Sequence, residues 1–314
     1  MNILIAILPA LLWGSGPILA TLVGGKPIQQ VTGTCYGQLI IGILLYLIFR
    51  PSIPFEMFLW PFLGGLVWAI AQLMQFTSFK QLNVSIAMPI STGLQLIEIP
   101  LAGVIFWGEW NSAAAKLAGF IAILVLIVGI CMASINDHSA PDAKHMDYKG
   151  GLTMLIVGSF GYTACSVFPK ITNASGMTNL MPQTLGMFLG GALMAWYYQA
   201  KSHDNILTSK VSLKNACVGL FGGIGTFCYL YALSKLGPAT AFPLTQMNVI
   251  VSTLGGIFIL HEHKDHKEMC FIIAGLILII GAATVIARLY EYFNRNFTSP
   301  IMGIRTYLRH LNGW

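Results

Sequence analysis

Four glutamines and one acid stand out because almost every neighbour of theirs is oily. Gln72, Gln95, Gln183 and Gln246 carry primary amides and Glu98 a carboxyl, all within long apolar runs. A polar group buried without a partner costs about 2–7 kcal/mol, and a carboxylate costs more, so these groups must face one another or a wet cavity rather than hydrocarbon. An amide offers both donors and acceptors, which suits sugar hydroxyls, themselves both donor and acceptor. A pyranose also has apolar C–H faces that stack on aromatic rings, and Trp13, Trp68, Tyr162 and Tyr229 are the candidates for that role. A lone amide can equally be interhelical glue, worth ~0.6–2 kcal/mol. Several amides with paired aromatics point instead to a cavity.

The densest stretch is residues 88–98. Ser91, Gln95, Glu98 and Ala102 follow i, i+4, i+7, i+11 and so form one helical stripe, with Thr92 beside it. Pro89 removes a backbone donor and frees a carbonyl within the membrane. A second stripe, Phe242, Thr245, Gln246, Val249 and Thr253, again starts beside a proline, Pro243. Glu98 is the sole acid well inside an apolar run. Burial raises a carboxyl pKa towards working pH, which suits proton coupling, while a hydrogen-bonded acid that simply holds helices together is the plainer reading.

Other chemistry is missing. No Ser/His/Asp set, HExxH or paired acids occur at membrane depth, so no enzyme and no cofactor is expected. The six cysteines form no CxxC pair and read as small apolar residues. His261, His263 and His266 lie beside Glu262, Asp265 and Glu268 in a short mixed-charge loop, read as a solvated turn rather than a metal site. Glu109 and Glu262 sit at the ends of apolar runs, where interface anchoring or loop contacts are expected.

The elements that position these residues follow from composition. Of 314 residues, 56% are hydrophobic and 9% charged, and the mean hydropathy is +0.73. A soluble chain carries about a quarter charged residues, so this one is a polytopic membrane protein. The basic residues are dispersed, which speaks against nucleic acid and fits short loops and tails. Since ~30 Å of hydrocarbon needs ~20 apolar residues per helix, about ten helices are expected, over 3–22, 31–49, 57–79, 84–107, 113–134, 150–170, 179–199, 212–234, 238–260 and 268–289. The first is read as uncleaved, because it lacks a basic n-region and a small-x-small cleavage site.

The one longer polar linker, residues 136–149, separates a first repeat, 1–135, from a second, 150–289. A shift of 154 positions pairs Pro89 with Pro243, Ala87 with Ala241, Leu82 with Leu236 and Gly65 with Gly219. Five spans per half is an odd number, so the halves enter the membrane in opposite senses: an inverted repeat, as in many secondary transporters. Both termini then share one side, taken as cytoplasmic. Lys and Arg number eight on that side and nine on the other, so the positive-inside rule does not decide. Residues 290–314 form a basic amphipathic tail suited to a membrane surface.

The phrases LPALLWGS (8–15), GGKPIQQVTGT (24–34), GLVWAIAQLMQF (65–76), AMPISTGLQL (87–96), GSFGY (158–162), MPQTLGM (181–187) and LTQMNVIVSTLGGIFIL (244–260) spread over nearly all of residues 1–289. Together they resemble the bacterial glucose/ribose porter family of the drug/metabolite transporter superfamily. The resemblance implies ten helices in a five-plus-five inverted arrangement and monosaccharide uptake driven by protons across the cell membrane. It also implies site residues Trp13, Gln72, Met88, Thr92, Gln95, Gln183 and Gln246. The chain departs from the family pattern at Glu98, where a small residue is usual. Residues 168–187 look more like ribose-type members and residues 251–260 more like glucose-type ones. A second reading keeps the fold and reverses the direction: an exporter of neutral metabolites or drugs. Cationic substrates fit poorly, because residues 3–22 contain no acid.

Overall fold

The computed structural model describes residues 2–107, 112–135, 146–172, 176–236 and 245–293. Eleven helices are described: α1 (Asn2–Val23), α2 (Pro27–Phe49), α3 (Phe55–Leu82), α4 (Val84–Trp107), α5 (Ala113–Ala133), α6 (Tyr148–Ile171), α7 (Met177–Ser202), the short α8 (Lys210–Lys214), α9 (Ala216–Leu236), α10 (Asn248–Phe258) and α11 (His266–Phe293). No strand occurs among the described residues. Helix is the expected solution in lipid, because it satisfies every backbone group within its own segment.

Seven stretches are long and apolar enough to cross a membrane: Pro27–Phe49, Phe55–Leu82, Val84–Phe106, Ala113–Ala133, Tyr148–Pro169, Lys210–Tyr229 and His266–Ile286. Two shorter apolar helical stretches, Ile7–Val23 and Asn248–Phe258, accompany them. The expected seventh span corresponds to α7, whose 26 residues include Asn179, Gln183, Gln199 and Lys201. The expected eighth span begins as two pieces, with α8 giving way to α9 at the fully buried Asn215. The Asn215 amide donates to Gly24 O at 3.2 Å and to Val211 O at 3.0 Å, so the break is tied to the end of α1. Glu109, Phe242 and Pro243, most of the 136–149 linker and the tail beyond Phe293 lie outside the described residues.

Apolar side chains occur both inside and outside. Phe76, Leu82, Ile86 and Val31 fill one core, while Ile48, Phe106, Leu117, Trp196 and Ile277 lie outward and more than half exposed. An apolar exterior of this extent marks a surface that water does not cover, so the chain is a multi-pass membrane protein. Helix α3 packs on α6 and α7, α9 on α1 and α2, and α2 on α7. Helix α4 lies against α6 and α10, α10 against α1, and α5 against α11. A second apolar core, including Leu96, Leu126, Val249, Ile272 and Ile279, joins α4 and α10 to that outer pair.

Backbones touch where glycine allows it. A Cβ at Gly65 would fall 2.0 Å from Gln183 O, and one at Gly219 would fall 1.9 Å from Thr34 O, so α3 meets α7 and α2 meets α9 with no side chain between. Close approach of this kind is how helices gain dispersion energy where lipid supplies no hydrophobic drive. Gly219→Ala must therefore push α2 and α9 apart, an overpacking cost of about 1–3 kcal/mol. The expected result is a clear drop in the melting temperature of the detergent-purified protein. Gly16→Ala should leave it unchanged, because a Cβ there meets Val218 at an ordinary 3.7 Å.

Candidate functional site

One polar network joins three helices. Gln72 and Gln75 stand one turn apart on α3, where the i, i+3 spacing places them on one face. Gln72 Nε2 donates to Gln75 Oε1 at 3.1 Å, and Gln75 Nε2 donates to Ser91 Oγ of α4 at 2.7 Å. From α6, the Tyr162 hydroxyl lies 2.9 Å from Gln75 Oε1 and 3.1 Å from Gln72 Oε1. That hydroxyl has one proton for two acceptors; Gln75 Oε1 also accepts from Gln72 Nε2, so Gln72 Oε1 is the one that depends on Tyr162. Gln72 and Tyr162 are 7% and 8% exposed, so water does not substitute for that hydroxyl.

Gln95 joins the network from α4. Its Nε2 donates to Ser91 O at 3.1 Å and approaches Ser91 Oγ at 3.3 Å. Trp68 stands edge-on to Tyr162, with centroids 6.3 Å apart and rings at 80°. Gln183 of α7 donates to Cys165 of α6, to Sγ at 2.7 Å and to the carbonyl at 3.4 Å, one turn along from Tyr162. Met88 and Thr92 are buried on α4, and Met88 packs into the main core.

A second aromatic pair stands on α1 and α9. Trp13 Nε1 donates to Gly222 O at 3.0 Å, and its ring lies 5.8 Å from that of Tyr229. Gln246 lies just ahead of α10, its amide 3.3 Å from Thr245 Oγ1. Thus Trp68, Gln72, Gln95 and Tyr162 come together, Trp13 and Tyr229 form a separate pair, and Gln246 bonds to neither group among the described residues. Sequence reasoning gives too little weight to Gln75, the hub of the network, and to Ser91 as its link to α4. Both carry a signal: Gln75 shares the face of Gln72, and Ser91 that of Gln95.

Glu98 lies one turn beyond Gln95 and is half-buried between α4 and α6. Ser159 Oγ donates to Glu98 Oε1 at 2.5 Å, and Thr163 Oγ1 donates to Oε2 at 2.8 Å. Ser159 Oγ also lies 2.7 Å from Ile156 O, so its one proton can serve either acceptor. No group of three or more His, Cys, Asp or Glu side chains able to hold a metal ion occurs among the described residues. A shallow groove between α2 and α7, lined by Gly42, Leu45, Tyr46, Met177 and Leu180 among others, has no room for a water molecule, and its lining includes no residue of the amide network.

The family model of sugar transport proteins matches residues 4–289. The chain belongs to that family. It is similar to the glucose uptake protein GlcU of Bacillus subtilis (strain 168), with 36% identity over 284 residues, 90% of this chain and 96% of that one. It is equally similar to a protein named for ribose uptake in Latilactobacillus sakei subsp. sakei (strain 23K), with 36% identity over 290 residues, 91% of this chain and 98% of that one. A solved crystal structure with 17% identity superimposes with a TM-score of 0.61, covering 92% of this chain and 98% of the other, which shows a shared fold.

Tyr162→Phe keeps the ring against Trp68 and removes the one proton that two amides share. A sugar hydroxyl bonded to Tyr162 loses a hydrogen bond worth about 0.5–1.5 kcal/mol, so ligand affinity should fall roughly 2- to 10-fold with expression unchanged. Isothermal titration of the purified variant with the transported sugar measures this, and wild-type affinity would remove Tyr162 from the site.

Proposed function

We propose that this chain takes up a monosaccharide, glucose or ribose, across the bacterial cytoplasmic membrane by proton symport and alternating access. The observation that carries the reading is the buried network of Gln72, Gln75, Ser91, Gln95 and Tyr162 beside Trp68, on helices of a sugar transport family member. Each of these polar side chains is held by another protein group. A sugar hydroxyl both donates and accepts, so it can replace one internal hydrogen bond with two to itself at little net cost. Gln72 Oε1, whose donor among the described residues is the Tyr162 hydroxyl at 3.1 Å, is the proposed first acceptor.

The ten-helix, five-plus-five inverted repeat belongs to this proposal, with repeats over residues 1–135 and 150–289. The packing supports it: α3 on α6 and α7 mirrors α9 on α1 and α2, and α4 on α6 mirrors α10 on α1. The aromatics follow the same relation, since Trp68 (α3) with Tyr162 (α6) mirrors Tyr229 (α9) with Trp13 (α1). Gln246 and Trp13 would then complete the site from the second stripe when the halves rock together. Sugar C–H faces would lie against Trp68 and Trp13.

Glu98 is the proposed proton site. It ties α4 of the first repeat to α6 of the second through Ser159 and Thr163. Protonation removes the charge that strengthens both bonds of that tie. The contact between the repeats loosens at the depth of the sugar network. The termini are assigned to the cytoplasmic side.

Uptake of labelled glucose and ribose into proteoliposomes, with and without an imposed pH gradient, tests the reading. One sugar should accumulate above equilibrium when the outside is the more acidic; no accumulation under any gradient sinks the proposal. Gln95→Ala and Gln246→Ala should abolish sugar binding while leaving expression intact. Glu98→Gln should retain sugar exchange and lose pH-driven accumulation, whereas unchanged accumulation would reduce Glu98 to a structural tie.

A further inference from the structure

Charged side chains of the link between α10 and α11 close one end of the bundle. Glu262 Oε1 accepts from Val84 N at 2.7 Å and Oε2 accepts from Ser85 N at 2.8 Å, so one carboxylate holds the first turn of α4. The first N–H groups of a helix have no partner within it and carry its positive end, which makes an acid the favoured occupant. Glu262 is itself held, because its own N–H donates to Gly256 O at 3.2 Å. Gly256 leaves the space: a Cβ there would stand 2.8 Å from Glu262 Oε2 and 3.0 Å from Ser85 N.

Two residues on, Lys264 Nζ donates to Ile135 O just past α5, at 3.2 Å, and lies 3.6 Å from Glu268 Oε1. Burial pushes its ammonium below the usual value, and the carboxylates of Glu268, Glu262 and Asp265 push it back up. Lys26 pairs with Asp204, Lys80 Nζ donates to Gly25 O at 2.7 Å, and Asp147 N donates to Gln81 O at 3.2 Å. All these contacts lie at the end of the bundle where α1 finishes and α2 begins. Most join the surface links between helices. The Glu262 contact differs in reaching the helix that carries Met88, Ser91, Thr92 and Gln95.

We infer that Glu262 is the latch of this end: its grip on Val84 and Ser85 holds α4 in the closed arrangement, and its release opens the path from the sugar network to that side of the membrane. Ser85 is suited to a hinge point. It is fully buried, its Oγ has no partner, and Pro89 four residues later has no N–H to return to the Ser85 carbonyl. The first turn of α4 is therefore held by Glu262 rather than by a full set of its own bonds. The assignment rests on the transport reading for its purpose, and on the geometry alone for its closure.

Ser85→Cys reports the latch directly, because its backbone N–H is kept and its unpartnered hydroxyl is lost at little cost. The full-length protein in detergent is treated with a hydrophilic maleimide, and modification of the thiol introduced at position 85 is read by peptide mass, so the native cysteines can stay. Modification should be slow in the Ser85→Cys protein and rise at least about tenfold when Glu262→Ala is added, since that change removes both charge-assisted bonds. Glu262→Gln keeps one acceptor oxygen and should fall between the two. In proteoliposomes Glu262→Ala should lower the maximal uptake rate several-fold with sugar affinity kept within about twofold. Equal labelling of all three folded proteins would overturn the latch. Should Glu262→Ala not fold, labelling of Glu262→Gln no faster than its parent would do the same. Wild-type protein that accumulates no sugar, with the labelling order intact, would overturn the uptake reading and leave the latch standing.

Discussion

Water is absent from the hydrocarbon core, and the polar part of this structure is arranged around that fact. Every amide, hydroxyl and carboxyl at membrane depth has to find its partner within the protein. The partners are found along the seams where α3, α4 and α6 meet. Gln72, Gln75, Ser91, Gln95 and Tyr162 satisfy one another there, while Glu98 is satisfied by Ser159 and Thr163 one turn away. Such a network holds helices together, and in the proposed uptake it would exchange its bonds for those of a hydroxylated ligand. The two roles are not rivals, since the same groups would perform them in turn.

Two kinds of contact set how far the helices can move. At Gly65 and Gly219 the backbones themselves touch, which fixes α3 against α7 and α2 against α9 over short distances. Around α4 and α10 polar contacts stand beside the glycine approach at Gly256: a carboxylate on a helix start, an acid between hydroxyls, and an apolar core shared with α5 and α11. Polar contacts exchange partners at small cost, whereas glycine seams lose dispersion energy that nothing replaces. The proposed movement therefore belongs to α4 with α10 rather than to the seams of α2, α3, α7 and α9.

Much of this was legible in the sequence, for physical reasons that differ by feature. Apolar run length located the helices, because membrane thickness imposes it; the break at Asn215 escaped, since one amide bonding Gly24 interrupts a run without changing its hydropathy. The polar stripe on α4 was legible because helical spacing puts Ser91, Gln95 and Glu98 on one face. Gln75 lies in the same apolar run as Gln72, and its place as the hub depends on where α6 brings Tyr162. Pairing across helices is set by packing angle and depth, and neither is written in local spacing. Glu262 shows the same limit. At the end of an apolar run it reads as an interface residue, and its role as the cap of α4 requires knowing that a helix 178 positions away begins beside it.

Glu98 and Glu262 are the same side chain set to different work by their surroundings. Glu262 faces backbone N–H groups, which donate but never accept, so only the carboxylate can use both of its bonds. Its contact changes by movement of the helix. Glu98 faces two hydroxyls, which donate to a carboxylate and accept from a carboxylic acid with a simple rotation. Its partners therefore tolerate either protonation state, while the charge that strengthens the two bonds across the α4–α6 seam is present in only one of them. An acid between hydroxyls is suited to sensing a proton, and an acid on a helix start is suited to fixing a position. The proposed symport uses one of each, the first beside its ligand and the second at the end of the path, which is how these two residues lie along α4.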